Sequence, residues 1–100
     1  MAKLVRDGYK PSNNGFSLRK VENQLEHSSL LRKKMSEELF ELAEDNTRVG
    51  AAIEAGDLIE SVFSYCLIQW GLTEDEVMSE RKKKSDRLGG FTIGKVWVEG

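Results

Sequence analysis

The feature that most constrains the fold of this chain is a succession of segments with helix-forming composition. Residues 24–45 are rich in Leu, Lys, Glu, Met and Ala and contain neither Gly nor Pro, which is typical of an α-helix. Asn46 and Thr47 interrupt this composition, and a second helix is predicted at 47–70, with Gly71 as its terminating residue. Two helices of this length, joined by so short a connection, are expected to pack as an antiparallel hairpin.

A third helix is predicted at 73–88, between a capping signal and a pair of glycines. Thr73 is followed three residues later by Glu76, which is the spacing of a capping box. Outside the helices, residues 3–6 and the β-branched and aromatic segment 91–98 are predicted to form short strands. We therefore expect a mainly α fold, an antiparallel helical bundle with short terminal β segments.

The length of 100 residues allows one compact domain, which we place at residues 1–100. A domain this small hides only roughly 60 to 65% of the surface of its unfolded chain. Additional burial through oligomerisation is therefore expected, and such an assembly would complete the helical bundle.

Charge, hydropathy and cysteine content exclude several classes of protein. The net charge of −2 gives no overall electrostatic reason to bind nucleic acid, and no nucleic-acid-reading motif is present. No segment approaches the ~20 consecutive apolar residues of a membrane span, and the N-terminal segment lacks the apolar run of a signal peptide. The single cysteine, Cys66, cannot form an internal disulfide. We therefore expect a cytoplasmic protein with neither nucleic-acid nor membrane partners.

The overall charge conceals an acidic block in the middle of the sequence. Residues 37–60 contain eight Asp or Glu residues and one Arg, whereas residues 1–36 contain eight Lys or Arg residues and three Asp or Glu residues. Like charges at this density repel one another unless water or a counter-ion neutralises them. What these carboxylates do therefore depends on where they lie on the two predicted helices.

On the first predicted helix, the acidic residues adjoin the apolar side. At about 100° per residue, the apolar side chains between Leu31 and Ala43 form one arc, and Glu38 falls at the edge of this arc. Glu41 and Glu37 follow just beyond this edge. A glutamate in a solvated surface position would normally lie on the opposite side of the helix.

On the second predicted helix, the acidic residues share a single polar wedge. Apolar residues occupy most of the circumference, which is typical of a helix buried on several sides, while Glu54, Asp57 and Glu60 follow one another at three-residue steps. If the first helix packs against this wedge, the carboxylates of both helices meet across the interface.

Carboxylates that face one another in a partly dry groove require compensation, because desolvation and like-charge repulsion both favour protonation. A hard divalent cation would remove the conflict, and oxygen ligands without His or Cys favour Mg²⁺ or Mn²⁺ over zinc. Because Mg²⁺ usually shares its coordination shell with substrate phosphates, such a cluster suggests a phosphate-bearing substrate. The alternative, that both acidic stretches are solvated faces of amphipathic helices, stays open at this point.

Two acidic motifs and two flanking segments resemble a known enzyme family. Residues 37–41 read EELFE and residues 54–57 read EAGD, with twelve residues between them. This arrangement resembles the EExxE, spacer, ExxD signature of the MazG-like all-α nucleoside triphosphate pyrophosphohydrolases, a group that includes phosphoribosyl-ATP pyrophosphohydrolase. The segment KLVRD at 3–7 and the segment RLGGF at 87–91 are similar to the start and the ending of a small single-domain branch of this superfamily.

The resemblance implies a Mg²⁺-dependent hydrolase that releases a nucleoside monophosphate and pyrophosphate in nucleotide-pool house-cleaning. It also implies that protomers associate through their helices, in the manner of a four-helix bundle, as a homodimer or homotetramer. Carried over by position, it gives the metal ligands as Glu38, Glu41, Glu54 and Asp57. Glu37 would be the carboxylate that orients or deprotonates the attacking water.

Two alternative functions stay open beside this one. The first is phosphoribosyl-ATP hydrolysis in histidine biosynthesis, which uses the same chemistry on another substrate. The second is a catalytically silent helical oligomer or interaction module that has kept the fold. Metal binding and a panel of nucleotide substrates distinguish the three.

Basic residues in the second half of the third predicted helix offer candidate phosphate ligands. Arg81 and Lys84 lie three residues apart on one face and are the pair we select. Arg6 and Lys95, in the flanking segments, are weaker candidates. The alternative is a solvated face whose positive charge complements the helix dipole.

Overall fold

Three α-helices make up the regular structure of the chain. The structure, a computed structural model, describes residues 2–10 and 17–100. Helix α1 spans Gln24–Glu44, α2 spans Arg48–Trp70 and α3 spans Glu74–Leu88. The prediction of a mainly helical fold is confirmed, and each helix lies within one residue of its predicted bounds. No described helix is both long and apolar enough to cross a membrane.

Local capping interactions determine where the helices begin and end. The Thr47 hydroxyl accepts a hydrogen bond from a backbone N–H in the first turn of α2. A complete capping box between Thr73 and Glu76 begins α3. Gly71 follows α2 with a φ of 64°, a left-handed conformation that favours glycine. These caps explain why the predicted and observed helix bounds agree.

Helices α1 and α2 pack along each other as an antiparallel hairpin, which provides most of the tertiary contacts. At the open end of the hairpin, Gln24 Nε2 donates a hydrogen bond to the carbonyl of Ile68, at 2.7 Å. At the closed end, the Asp45 carboxylate accepts hydrogen bonds from the backbone N–H and the hydroxyl of Thr47. Over the described residues, α3 makes few contacts with α2 and none with α1.

The hairpin by itself buries few side chains. Within residues 2–10 and 17–100, Leu31 is the one large apolar side chain in the buried class, at 3% exposure. The expectation that α2 is buried on several sides is wrong for the single chain, because Ile59, Leu67 and Trp70 are all more than half exposed. The radius of gyration is 17.0 Å, against about 13 Å for a compact domain of this length. Apolar helix surface therefore remains uncovered.

The predicted terminal strands are wrong. Residues 3–6 and 91–98 form no strand and do not pair with each other. The first segment lies beside the hairpin, where Arg6 forms an ion pair with Asp57, and the second follows α3 and is exposed. A composition rich in β-branched residues suits an extended backbone, but a strand also needs a neighbouring edge to bond its N–H and C=O groups. Neither segment has such an edge beside it in the described structure.

We expect Leu31→Ala to lower the free energy of unfolding by about 2 to 5 kcal/mol, because it leaves a cavity at the most buried apolar position of the hairpin. Leu25→Ala is the matched control, at a position on the same helix that is 76% exposed. It should change the free energy of unfolding by less than about 0.5 kcal/mol. Urea denaturation followed by circular dichroism measures both, and equal effects would contradict this packing of α1 against α2.

Candidate metal centre

Three carboxylates converge where α1 packs against α2. Glu38 and Glu41 project from the same side of α1, since residues three apart are neighbours on a helix surface. Glu54 projects towards them from α2, and one carboxylate oxygen of each residue lies within 4.8 Å of the other two. Three of the four sequence-predicted metal ligands are therefore together in the structure.

Glu38 is the most buried member of this group, at 3% exposure. Its Oε1 lies 3.1 Å from Lys34 Nζ, in an ion pair within α1. Among the described residues, its Oε2 has no hydrogen-bond partner, and neither has Oε2 of Glu54. A buried oxygen without a donor is costly and uncommon in folded proteins. A proton, an ordered water molecule or a cation would satisfy these two atoms.

The acidity of Glu54 reflects this crowding. Its pKa is raised to about 7, first by the adjacent carboxyl group of Glu38 and next by that of Glu41, each of which favours the protonated form of Glu54. Partial burial and the negative charges of both neighbours raise the pKa further. Only a protonated Glu54 can donate a hydrogen bond to either neighbour, because an ionised carboxylate only accepts hydrogen bonds.

Asp57, the fourth predicted ligand, has a different partner. Arg6 Nη2 donates a hydrogen bond to Asp57 Oδ1 at 2.5 Å, and Arg6 Nη1 lies 4.0 Å from Glu60 Oε1. Asp57 is one helical turn beyond Glu54, on the same side of α2. Helical periodicity within 54–60 cannot identify a partner fifty residues away. The excess of basic residues before the acidic block was the one available signal of this ion pair.

The remaining predicted site residues lie apart from the three carboxylates. Glu37 Oε2 is 3.9 Å from Lys3 Nζ, and the Glu37 side chain is about one-third exposed. Arg81 and Lys84 lie on α3, and no hydrogen bond or ion pair joins either of them to the cluster within the described ranges. Ion pairs along α3 link its own neighbouring residues.

An open groove of about 940 Å³ adjoins the cluster. Its walls come from residues 3–9, α1 and α2, and they include Arg6, Tyr9, His27, Glu38 and Ser64. This volume lies within the range of roughly 300 to 1,000 Å³ that is usual for small-molecule sites. Sequence reasoning missed the groove, because three separate segments must come together to form it.

The donor set is compatible with a hard divalent cation. All three residues offer oxygen atoms, which Mg²⁺, Mn²⁺ and Ca²⁺ prefer. Oxygens bound to one Mg²⁺ ion are about 2.9 Å apart when adjacent and about 4.2 Å apart when opposite. The three oxygens, which lie within 4.8 Å of one another, would therefore have to move closer together to bind one ion. The unpartnered oxygens of Glu38 and Glu54 are the atoms that such an ion would satisfy.

Comparison with known proteins does not assign the chain to a class. No family model matches it, and neither a curated protein nor a solved structure matches it. The functional argument is therefore based on the geometry of the carboxylates and of the groove beside them.

We expect the metal-free protein to lose stability as the pH rises from about 5 to about 8. The pKa of Glu54 in the folded chain, about 7, exceeds its ordinary value of 4.5, so the folded state binds more protons than the unfolded state between these values. The resulting stabilisation is fully present below the ordinary pKa and is lost as the pH rises through the folded pKa.

Thermal melts in EDTA, with wild type and Glu54→Gln compared at each pH, measure this effect. The Glu54→Gln protein cannot titrate at this position and should give a flatter profile of melting temperature against pH. Parallel profiles for the two proteins would contradict a proton shared by the three carboxylates.

Proposed function

We propose that this chain is a MazG-like nucleoside triphosphate pyrophosphohydrolase that uses Mg²⁺, with Mn²⁺ as a substitute, and releases a nucleoside monophosphate and pyrophosphate. One observation carries the proposal. Glu38 is 97% buried in a group of three carboxylates, and its Oε2 lacks a partner among the described residues. The groove beside this group is large enough for a nucleotide.

The alternative of a solvated acidic face accounts less well for Glu38. A glutamate on such a face would keep both carboxylate oxygens in water. Glu38 instead lies against α2 at 3% exposure, with Lys34 on only one of its oxygens. Burial of a carboxylate among other carboxylates lowers stability, and such an arrangement is common where a protein binds a cation or tunes acidity for catalysis.

In this proposal Glu38, Glu41 and Glu54 hold the cation between α1 and α2, and Asp57 completes the ligand set. A bound Mg²⁺ would supply positive charge to the phosphoryl oxygens and to the leaving pyrophosphate. The protein itself contributes a fixed arrangement of oxygen donors on two packed helices. It therefore has to move little backbone when it takes up the ion.

Hydrolysis also requires a group that handles the proton of the attacking water. Glu37 stays a prediction for this role. Its carboxylate is one-third exposed beside Lys3 and so is accessible to water, but it lies apart from the three carboxylates and would have to turn towards the groove. The oxygen of water forms a bond to phosphorus, and the bond from that phosphorus to the oxygen of the pyrophosphate leaving group breaks. The proton of the water passes to Glu37 and then to solvent. No covalent enzyme intermediate is needed.

Basic side chains in the groove wall are candidate phosphate ligands. Lys3, Arg6 and Lys34 all contribute to its walls. Asp7, Glu38, Asp57 and Glu60 line the same groove, so a bound cation would be needed to make it attractive to an anion. Arg81 and Lys84 stay a prediction as phosphate ligands, because α3 does not contact α1 within the described chain.

Self-association is part of the same proposal. The solvent-accessible surface of the chain is 8928 Å², whereas a compact monomer of the same mass has about 5,700 Å². Large apolar residues on both hairpin helices account for part of this area, including Phe40, Val49 and Ile53. Two hairpins packed on these faces would form a four-helix bundle. We propose a homodimer or homotetramer in the cytoplasm, where nucleotides are abundant and the free Cys66 stays reduced.

Light scattering coupled to size-exclusion chromatography tests the assembly. The molar mass should be at least twice that of the 11.3 kDa chain. A single species with the mass of one chain would contradict the proposed bundle.

For the activity itself, we expect Glu54→Gln to reduce pyrophosphate release by about 100-fold or more, because even indirect supports of a metal ligand are worth about 10- to 100-fold. Glu44→Gln is the matched control, since Glu44 is an exposed residue on α1 outside the cluster. The assay measures pyrophosphate release from nucleoside triphosphates and from phosphoribosyl-ATP, with Mg²⁺ or Mn²⁺ present.

Each outcome of this assay has a distinct meaning. Release only from phosphoribosyl-ATP would favour the histidine-pathway alternative. Background release from every substrate, with unchanged melting temperature on addition of metal, would favour the silent module. Activity that survives Glu54→Gln would show that the metal ligands are assigned wrongly.

A further inference from the structure

Residues 3–9 line the groove beside the proposed metal centre, and two of their side chains form ion pairs with α1 and α2. Arg6 pairs with Asp57, and Lys3 pairs more distantly with Glu37. The backbone N–H of Tyr9 donates a hydrogen bond to the carbonyl of Arg6 at 3.0 Å, which closes a turn directly after the arginine. The Arg6 side chain is 62% exposed, so only its guanidinium end is engaged.

The guanidinium of Arg6 occupies an oxygen atom that a bound cation would need. It donates to Asp57 Oδ1, an oxygen of the fourth proposed ligand. The pKa of Arg6 is raised above its ordinary value by the hydrogen bond to Asp57, then by the charge of Asp57 and, to a smaller extent, by those of Glu60 and Glu38. Arg6 therefore interacts electrostatically with the buried carboxylate of the cluster as well as with its direct partner.

A divalent cation bound by Asp57 would compete with Arg6 for this carboxylate. The oxygen that accepts the guanidinium hydrogen bond is less available as a metal ligand, and two cations at adjacent carboxylates repel each other. A cation at the cluster would weaken the pairing of Arg6 with Asp57 through both effects. Arg6 also lies in the wall of the groove, where an anionic substrate would lie.

We propose that Arg6 exchanges partners as the site is loaded. It neutralises Asp57 in the metal-free protein, and it binds a phosphate of the substrate once the divalent cation has taken Asp57. Arginine suits this second role because its planar guanidinium binds phosphate oxygens through two parallel hydrogen bonds. This inference rests on the proposed function, since it requires a cation and a phosphate-bearing ligand at the same site.

A thermodynamic consequence separates this exchange from a permanent structural ion pair. Arg6 opposes the binding of the cation alone, yet it favours the phosphate ligand after the cation is bound. Removing the guanidinium should therefore change the two affinities in opposite directions. A purely structural ion pair would alter stability, without this reversal of sign.

The test measures two affinities with Arg6→Ala and with Arg19→Ala, a matched control that removes the Arg19–Glu26 ion pair at the start of α1. Electron paramagnetic resonance of free Mn²⁺ gives the affinity for the metal alone. Calorimetric titration of inorganic pyrophosphate at saturating Mg²⁺ gives the affinity for the phosphate ligand. Circular dichroism checks that each variant retains the helical content of wild type.

We expect Arg6→Ala to bind Mn²⁺ about 5-fold more tightly than wild type and to bind pyrophosphate about 5-fold more weakly. Arg19→Ala should change neither affinity. Arg6→Lys, which keeps the charge and loses the planar fork, should bind pyrophosphate with intermediate affinity.

Unchanged Mn²⁺ affinity in Arg6→Ala would overturn the competition for Asp57, and unchanged pyrophosphate affinity would overturn the exchange of partners. In both cases the proposed hydrolase would stand, provided that wild type binds the metal. If wild-type protein bound no Mn²⁺ at all, the proposed function would fail, and this inference would fail with it.

Discussion

The packing of α1 against α2 holds three carboxylates closer together than their charges would allow in free solution. Glu38 and Glu41 reach this position because they lie one helical turn apart, and Glu54 because the hairpin is antiparallel. The backbone of two capped helices fixes this arrangement before any ligand arrives. The protein therefore carries an electrostatic conflict that a proton can ease and that a divalent cation can remove.

Charge on neighbouring segments compensates part of this conflict. Lys34 neutralises one oxygen of Glu38, and Arg6 neutralises Asp57 at the end of the acidic row. Neither Lys34 nor Arg6 bonds Oε2 of Glu54, which has no hydrogen-bond partner in the described structure. Ion pairs therefore compensate Asp57 and one oxygen of Glu38, and they leave Glu54 among like charges.

The sequence was informative wherever local interactions decide the structure. The capping box of Thr73 and Glu76 and the terminating role of Gly71 were predicted from the sequence, and the unusual position of Glu38 at the edge of an apolar arc anticipated its burial. Predictions were wrong where contacts between distant segments of the chain determine the structure. Within the described residues, segment 91–98 has no neighbouring strand edge, and one neighbouring helix cannot cover the apolar faces of α2.

The same limit explains what was missed at the site. The ion pair between Arg6 and Asp57 and the groove formed by residues 3–9 join parts of the chain that periodicity treats separately. An assembly of hairpins, as proposed above, is the arrangement that would give the apolar surface of α2 a covering. The apolar composition of α2 is typical of a helix in a protein interior, and such an assembly would explain it, although the single chain leaves α2 exposed.

Anomalous X-ray scattering from crystals grown with Mn²⁺ at neutral pH tests the central claim most directly. The claim predicts one strong manganese peak between α1 and α2, within bonding distance of carboxylate oxygens from Glu38, Glu41 and Glu54. Crystals that hold no manganese there, with the three carboxylates still together or turned away into solvent, would contradict a metal centre at this position.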